Sequence, residues 1–99
     1  MMNFDLKKLA KIQEAINQAM ANVKAEASAG GDMVKAVADG YGNIVSIKIE
    51  PELLKDLDIE MLQDLIVAAV NEAKNKAKQE VQKEIEKVIG FPLPPFPQL

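Results

Sequence analysis

From Leu62 to Val88 the apolar residues Leu62, Leu65, Ile66, Ala69, Val70, Ala73, Ala77, Val81, Ile85 and Val88 recur every three or four positions. That is one face of a 3.6-residue period, uninterrupted by Pro or Gly, so residues 59–88 read as a single long helix. Asp58 is its expected N-cap, Glu60 sits in its first turn, and Gly90 is its expected stop. At about 1.5 Å per residue such a helix spans roughly 45 Å. A small sheet covers only part of that length. The first half, through Ala73, is expected to pack on a sheet. The second half has a thinner, Ala-rich stripe and is expected to project or to pair with another helix. Glu72 and Lys76, and Lys76 and Glu80, stand four apart, a spacing that supports a helix by ion pairing.

Upstream, the period changes. Residues 44–49 alternate, with Val45, Ile47 and Ile49 on one side and Ile44, Ser46 and Lys48 on the other. Residues 33–38 alternate in the same way. Both read as strands, joined antiparallel through Asp39-Gly40-Tyr41-Gly42-Asn43. Glu50-Pro51-Glu52 ends the second strand, because Pro has no N–H for a ladder. Leu53 and Leu54 are expected to turn back onto the core. Residues 24–31, KAEASAGG, are compatible with a short first strand or an extended linker, closed by the Gly30-Gly31 break. Residues 3–24 read as a first helix through Leu6, Leu9, Ile12, Ile16, Met20 and Val23, with Asn3 as N-cap and Asp5 in the first turn. After Gly90 comes FPLPPFPQL, an extended, Pro-rich tail in which Phe91, Leu93 and Phe96 are candidates to pack on a partner subunit. Pro92-Leu93-Pro94-Pro95 fits PxxP, but nothing else in the chain supports that kind of ligand. The fold class is therefore α+β: N-terminal helix, three-stranded antiparallel sheet, long C-terminal helix. Residues 1–90 form a single domain and residues 91–99 the tail.

Several chemistries are excluded by what is missing. The chain has no Cys and no His. There is no disulfide framework, no thiolate zinc site, and none of the usual imidazole bases or ligands near neutral pH. SAGGDM lacks the Lys-Ser/Thr pair of a phosphate loop, and Gly40-Tyr41-Gly42 opens no helix. Asp56-Leu57-Asp58-Ile59-Glu60 resembles a calcium loop only superficially, since the loop Gly is absent and the twelfth position is Val67. The start of the chain is interrupted by Lys7, Lys8, Lys11 and Glu14, so no signal peptide is expected. The apolar run Leu65–Val70 is too short for a membrane span. We expect no catalysis, no metal, no cofactor, no small-molecule substrate and no membrane partner.

The charge is segregated. Every cation is a Lys, Arg is missing, and the net charge is -3. Residues 50–64 are strongly acidic, whereas the first helix and residues 73–83 are locally basic. Lys7, Lys8 and Lys11 on the first helix, and Lys74, Lys76, Lys78 and Lys83 on the long helix, are the candidate contacts to a polyanion. Lysines act as point charges on phosphates, and without Arg there is no bidentate guanine readout.

An ordered string of residues narrows the reading: Gly30-Gly31-Asp32-Met33-Val34-Lys35, Asp39-Gly40, Ile47-Lys48-Ile49-Glu50-Pro51-Glu52-Leu53-Leu54, Met61-Leu62-Gln63-Asp64-Leu65 and Val67-Ala68-Ala69-Val70-Asn71-Glu72-Ala73. It resembles the YbaB/EbfC family of bacterial nucleoid-associated proteins over essentially the whole chain. The resemblance implies a homodimer shaped like tweezers with protruding helices, located in the cytoplasm on the nucleoid. It also implies binding to double-stranded DNA with limited sequence preference, and neither enzymatic activity nor a cofactor. On that reading the lysines neutralise phosphates and residues 50–64 face away from DNA. Residues 33–73 would build the fold and the dimer, and residues 74–88 would be a working surface. The competing reading is a protein-interaction or structural dimer module that never touches DNA, which the acidic balance and the Lys-Glu pairs favour.

Overall fold

The structure is a computed structural model that describes residues 5–56 and 58–93. Its elements run α1 (Leu6–Asn22), β1 (Lys24–Ala29), β2 (Val34–Asp39), β3 (Ile44–Ile49), a short 3-10 turn (Pro51–Leu54) and α2 (Ile59–Ile89). The three strands form one antiparallel sheet in the order β1-β2-β3. The expected α+β architecture is what the chain adopts.

The stretch left open between strand and linker is a full edge strand, β1, pairing Lys24 with Asp39 through to Ala29 with Val34. Its inner residues are Ala25 and Ala27, both buried. They oppose Ala38 and Ala36 on β2. Across them lies the Ala69–Ala73 line of α2, fully buried. Small residues on both sides let the helix approach the sheet closely, which explains a strand of low intrinsic β-propensity: packing on α2 sets its conformation. Between β1 and β2, Gly30, Gly31 and Asp32 all take positive φ. Ser28 Oγ donates to Asp32 Oδ1 at 2.8 Å and helps close this turn.

The β2–β3 connection is residues 40–43, held by Asp39. Its carboxylate accepts from the Tyr41 and Asn43 N–H groups at 3.0 and 2.9 Å. The alternation expected in β3 does not hold at its start. Val34 opposes Ile49, Ala36 opposes Ile47, and then a bulge brings Ile44, rather than Val45, opposite Ala38. Val45 is the extra residue, so Ile44 shares the inner face with Ile47 and Ile49. After β3 only Leu53 of the leucine pair turns inward; Leu54 is exposed.

α2 begins at the expected cap, with Asp58 Oδ1 accepting from the Met61 N–H at 3.1 Å. It ends at Gly90, which is left-handed with φ 81 and donates its N–H to the Glu86 carbonyl. Its 31 residues give about 46 Å of length. The proximal half lies across β1 and β2; the distal half pairs with α1. This decides the alternative left open for the second half. Ala15 and Ala19 of α1 and Ala77, Val81 and Ile85 of α2 are buried along this pairing. The two helices therefore form an arm that projects from the sheet, and residues 77, 81 and 85 belong to its core rather than to a surface. The α1 cap also differs from expectation. Asp5 is the N-cap, accepting from the Lys7 and Lys8 N–H groups at 3.0 and 3.4 Å. Asn3 lies outside the described residues, as does Phe96.

The start of the tail folds back along α2. Leu93 donates its N–H to Glu86 Oε1 at 3.3 Å, and its carbonyl accepts from Gln82 Nε2 at 3.1 Å. Leu93 packs on its own chain, while Phe91 stays exposed.

The core is thin and the shape extended, 66 × 22 × 16 Å with a radius of gyration of 17.8 Å. A compact domain of about 100 residues has a radius of gyration near ~13 Å. Val34 is the one large side chain fully buried among the described residues.

Candidate nucleic-acid interface

Lys7, Lys8 and Lys11 stand at the outer end of the arm, and all three are exposed. A helix N-terminus carries partial positive charge, so cations there are placed against the macrodipole. Lys7 and Lys11 are four apart on one flank and repel each other. Among the described residues the ion pairs are Lys55 with Glu52 and Lys87 with Glu84. None involves the arm-tip lysines. Among the described residues, no ion pair offsets the positive charge concentrated here. Lys8 and Lys11 face the end of α2, bordering an apolar hollow formed with Ile12, Val88, Ile89 and Phe91.

The four α2 lysines do not form one patch. Successive residues turn by about 100° around a helix, so Lys74 and Lys78 share one flank while Lys76 and Lys83 lie on the other. Lys74 and Lys78 line a polar recess of about 560 Å³ with Asn71, Asn75 and the hairpin residues Asp39, Gly40 and Gly42. Lys76 leans over β1 and donates from Nζ to the Glu26 carbonyl at 3.0 Å. The expected pairs of Lys76 with Glu72 and Glu80 are absent among the described residues, because that carbonyl takes the ammonium instead. Lys83 borders a groove of about 430 Å³ between α1 and α2, together with Lys24, Lys87, Glu80 and Glu84. No local sequence signal singles out Lys24 and Lys87. The arm brings them beside Lys83 by pairing the end of α1 with the last turns of α2. Lys35 and Lys48 lie directly opposite each other on the outer face of the sheet, a like-charge pair that the register alone reveals.

Chemically the surface offers ammonium groups, carboxylates, amides and apolar side chains. No group of His, Cys, Asp and Glu suited to a metal occurs among the described residues. No helix among them is long and apolar enough to cross a membrane.

A second surface is apolar. α2 packs chiefly against β1 and β2, so on the inner side of β3 Ile44 and Ile49 are half-buried against the core while Ile47 is left more open. Ile47 is 44% exposed, and the bulged Val45 beside this face is 49% exposed. On the flank of α2 away from Lys76 lie Ile59, which is exposed, and Ile66 and Val70, which are half-buried against the core. The accessible surface is 7553 Å². A monomer of 10.8 kDa is expected to show roughly 5,500 Å².

The fold and its lysine-bearing arm define a small, helix-armed module with the makings of a polyanion binder. The YbaB/EbfC DNA-binding family matches residues 1–91, and the chain belongs to that family. A nucleoid-associated protein from Pelotomaculum thermopropionicum is 48% identical over 71 residues, covering 69% of this chain and 68% of the relative. A nucleoid-associated protein from Alkaliphilus metalliredigens is 44% identical over 85 residues, 86% of this chain and 75% of the relative. Another, from Brucella ovis, is 36% identical over 90% of this chain and 84% of its own. The crystal structure of an uncharacterized protein from Helicobacter pylori shares the fold. Its TM-score is 0.62 at 22% identity, covering 79% of this chain and 90% of that one.

Proposed function

We propose that this protein is a nucleoid-associated protein that binds double-stranded DNA as a homodimer, through lysine–phosphate contacts with low sequence specificity. The observation that carries the reading is the projecting α1–α2 arm, whose tip concentrates Lys7, Lys8 and Lys11 without carboxylate partners among the described residues. Family membership and the names of the relatives support it. Phosphate neutralisation needs exposed cations on a projecting element and no catalytic group. The tip lysines are the principal contacts. Lys74 and Lys78 extend the surface on one flank of α2, and Lys83 on the other, so one straight duplex engages one flank at a time. Lys76 contributes least, since its ammonium is already held by a backbone carbonyl.

The dimer is built from the open side of β3 and the bordering flank of α2. The apolar side chains available to it are Ile47 and Ile59, 44% and 60% exposed. Two copies joined there carry two arms.

The test is a mobility-shift series on a mixed-sequence duplex from about 50 mM to about 200 mM salt. The wild-type affinity falls steeply with salt. Replacing Lys7, Lys8 and Lys11 by Ala flattens the slope of log K against log salt by up to roughly 0.9 for each phosphate that is no longer neutralised. Absence of binding at the lowest salt, or an affinity indifferent to salt, refutes the phosphate mechanism.

A further inference from the structure

The arm tip is not only basic. Leu6, Leu9, Val88 and Phe91 are 71%, 50%, 51% and 57% exposed. The hollow lined by Lys8, Lys11, Ile12, Val88, Ile89 and Phe91 puts the start of α1 beside the end of α2, so these apolar groups and the tip lysines occupy one end of the molecule. Among the described residues nothing covers them: the described start of the tail turns away, with Leu93 held lower on α2 by Glu86 and Gln82. Isolated exposed apolar residues need no explanation, but several gathered at a projecting tip among unpaired cations do.

We propose that the arm tip is a wedge that bends duplex DNA. Lys7, Lys8 and Lys11 bind phosphates on either side of a groove, and Leu6, Leu9 or Phe91 enters the groove and partly unstacks one base step. The inference rests on the DNA-binding reading above. Charge selects the partner. The tip lysines face a polyanion, and a duplex presents apolar base faces behind its phosphates that an inserted side chain reaches by unstacking a step. The wedge also supplies a source of preference in a chain without Arg. Pyrimidine–purine steps unstack more easily than others, so the protein favours flexible steps without reading base edges.

The experiment uses the full chain and a duplex labelled with a donor and an acceptor dye at its ends, with 2-aminopurine at a central TA step. Wild-type binding shortens the end-to-end distance and raises 2-aminopurine fluorescence. The triple variant Leu6→Ala, Leu9→Ala, Phe91→Ala keeps the wild-type salt slope, because its lysines are intact, and loses both signals. Far-UV circular dichroism confirms that it folds; these side chains are exposed, so it does. Wild-type binding that leaves the duplex straight overturns the wedge and leaves the DNA-binding reading standing, as does a triple variant that bends like wild type. Failure of the wild type to bind duplex at all overturns both. If the triple variant loses adhesion to anionic phosphatidylserine vesicles while bending is unaffected, the tip is a membrane contact and the wedge is wrong.

Discussion

Gly40 sets how the arm meets the sheet, and substituting it tests that joint directly. The residue sits in the β2–β3 hairpin, against the end of α1. A Cβ placed on it would stand 2.5 Å from the Met20 carbonyl oxygen, 2.6 Å from the Met20 Cα and 2.9 Å from the Ala19 carbonyl oxygen. All three atoms are backbone, so no side chain can swing aside. Relief requires shifting the last turn of α1, which is fixed by Ala19 packing and by the Val23 N–H bond to the Ala19 carbonyl. Overpacking costs about 1–3 kcal/mol. With only backbone to move, Gly40→Ala belongs at the upper end, about 3 kcal/mol. For a domain of this size each kcal/mol lowers Tm by about 4–8 °C, so the expected fall is roughly 12–24 °C. Gly42 is the control. Its φ is 88 and nothing lies within 4 Å of a Cβ there. Gly42→Ala therefore carries only the left-handed backbone penalty, about 1–2 kcal/mol. Thermal melts and urea titrations of both variants, at one protein concentration, make the comparison. If Gly40→Ala melts no lower than Gly42→Ala, the hairpin does not touch α1 as described and the placement of the arm is wrong.

Two further outcomes follow from other parts of the structure. Asp5→Ala removes the acceptor of two backbone N–H groups at the start of α1 and lowers stability by about 1 kcal/mol in urea titration; an unchanged midpoint shows that the cap is idle. Ile47→Glu places an unpaired charge at the proposed dimer interface on β3, where burying it costs about 3–5 kcal/mol, enough to weaken the proposed dimer more than a hundredfold. Analytical ultracentrifugation should then show a folded monomer, and a dimer of unchanged strength moves the interface elsewhere.

The sequence reveals the periods more readily than the contacts. The 3.6-residue stripe of α2, its Asp58 cap and its Gly90 stop all follow from local chemistry, and the structure agrees with each. The β2–β3 hairpin is equally plain. β1 is not, because Lys, Glu, Ser and Ala are poor strand formers and only the Ala line of α2 makes a strand of them. The β3 bulge is invisible for a related reason: an inserted residue flips Val45 against Ile44 without changing composition. For the candidate surface, helix periodicity is enough to separate Lys74 and Lys78 from Lys76 and Lys83. The capture of the Lys76 ammonium by Glu26, and the arrival of Lys24 and Lys87 beside Lys83, depend on packing between segments far apart in sequence.

That long-range pairing has a consequence for how the molecule is assembled. β1, β2, β3 and the proximal half of α2 are neighbours along the chain and have short loops to close. α1 comes first in the sequence, yet it docks on the last turns of α2. During synthesis its Ala15 and Ala19 face emerges from the ribosome uncovered and waits for the distal half of α2 to follow. Its partner surface, Ala77, Val81 and Ile85, is the last stretch of core to appear. The arm is thus the final piece to close in folding. By the same topology it is the first that a thermal fluctuation can open while the sheet stays intact.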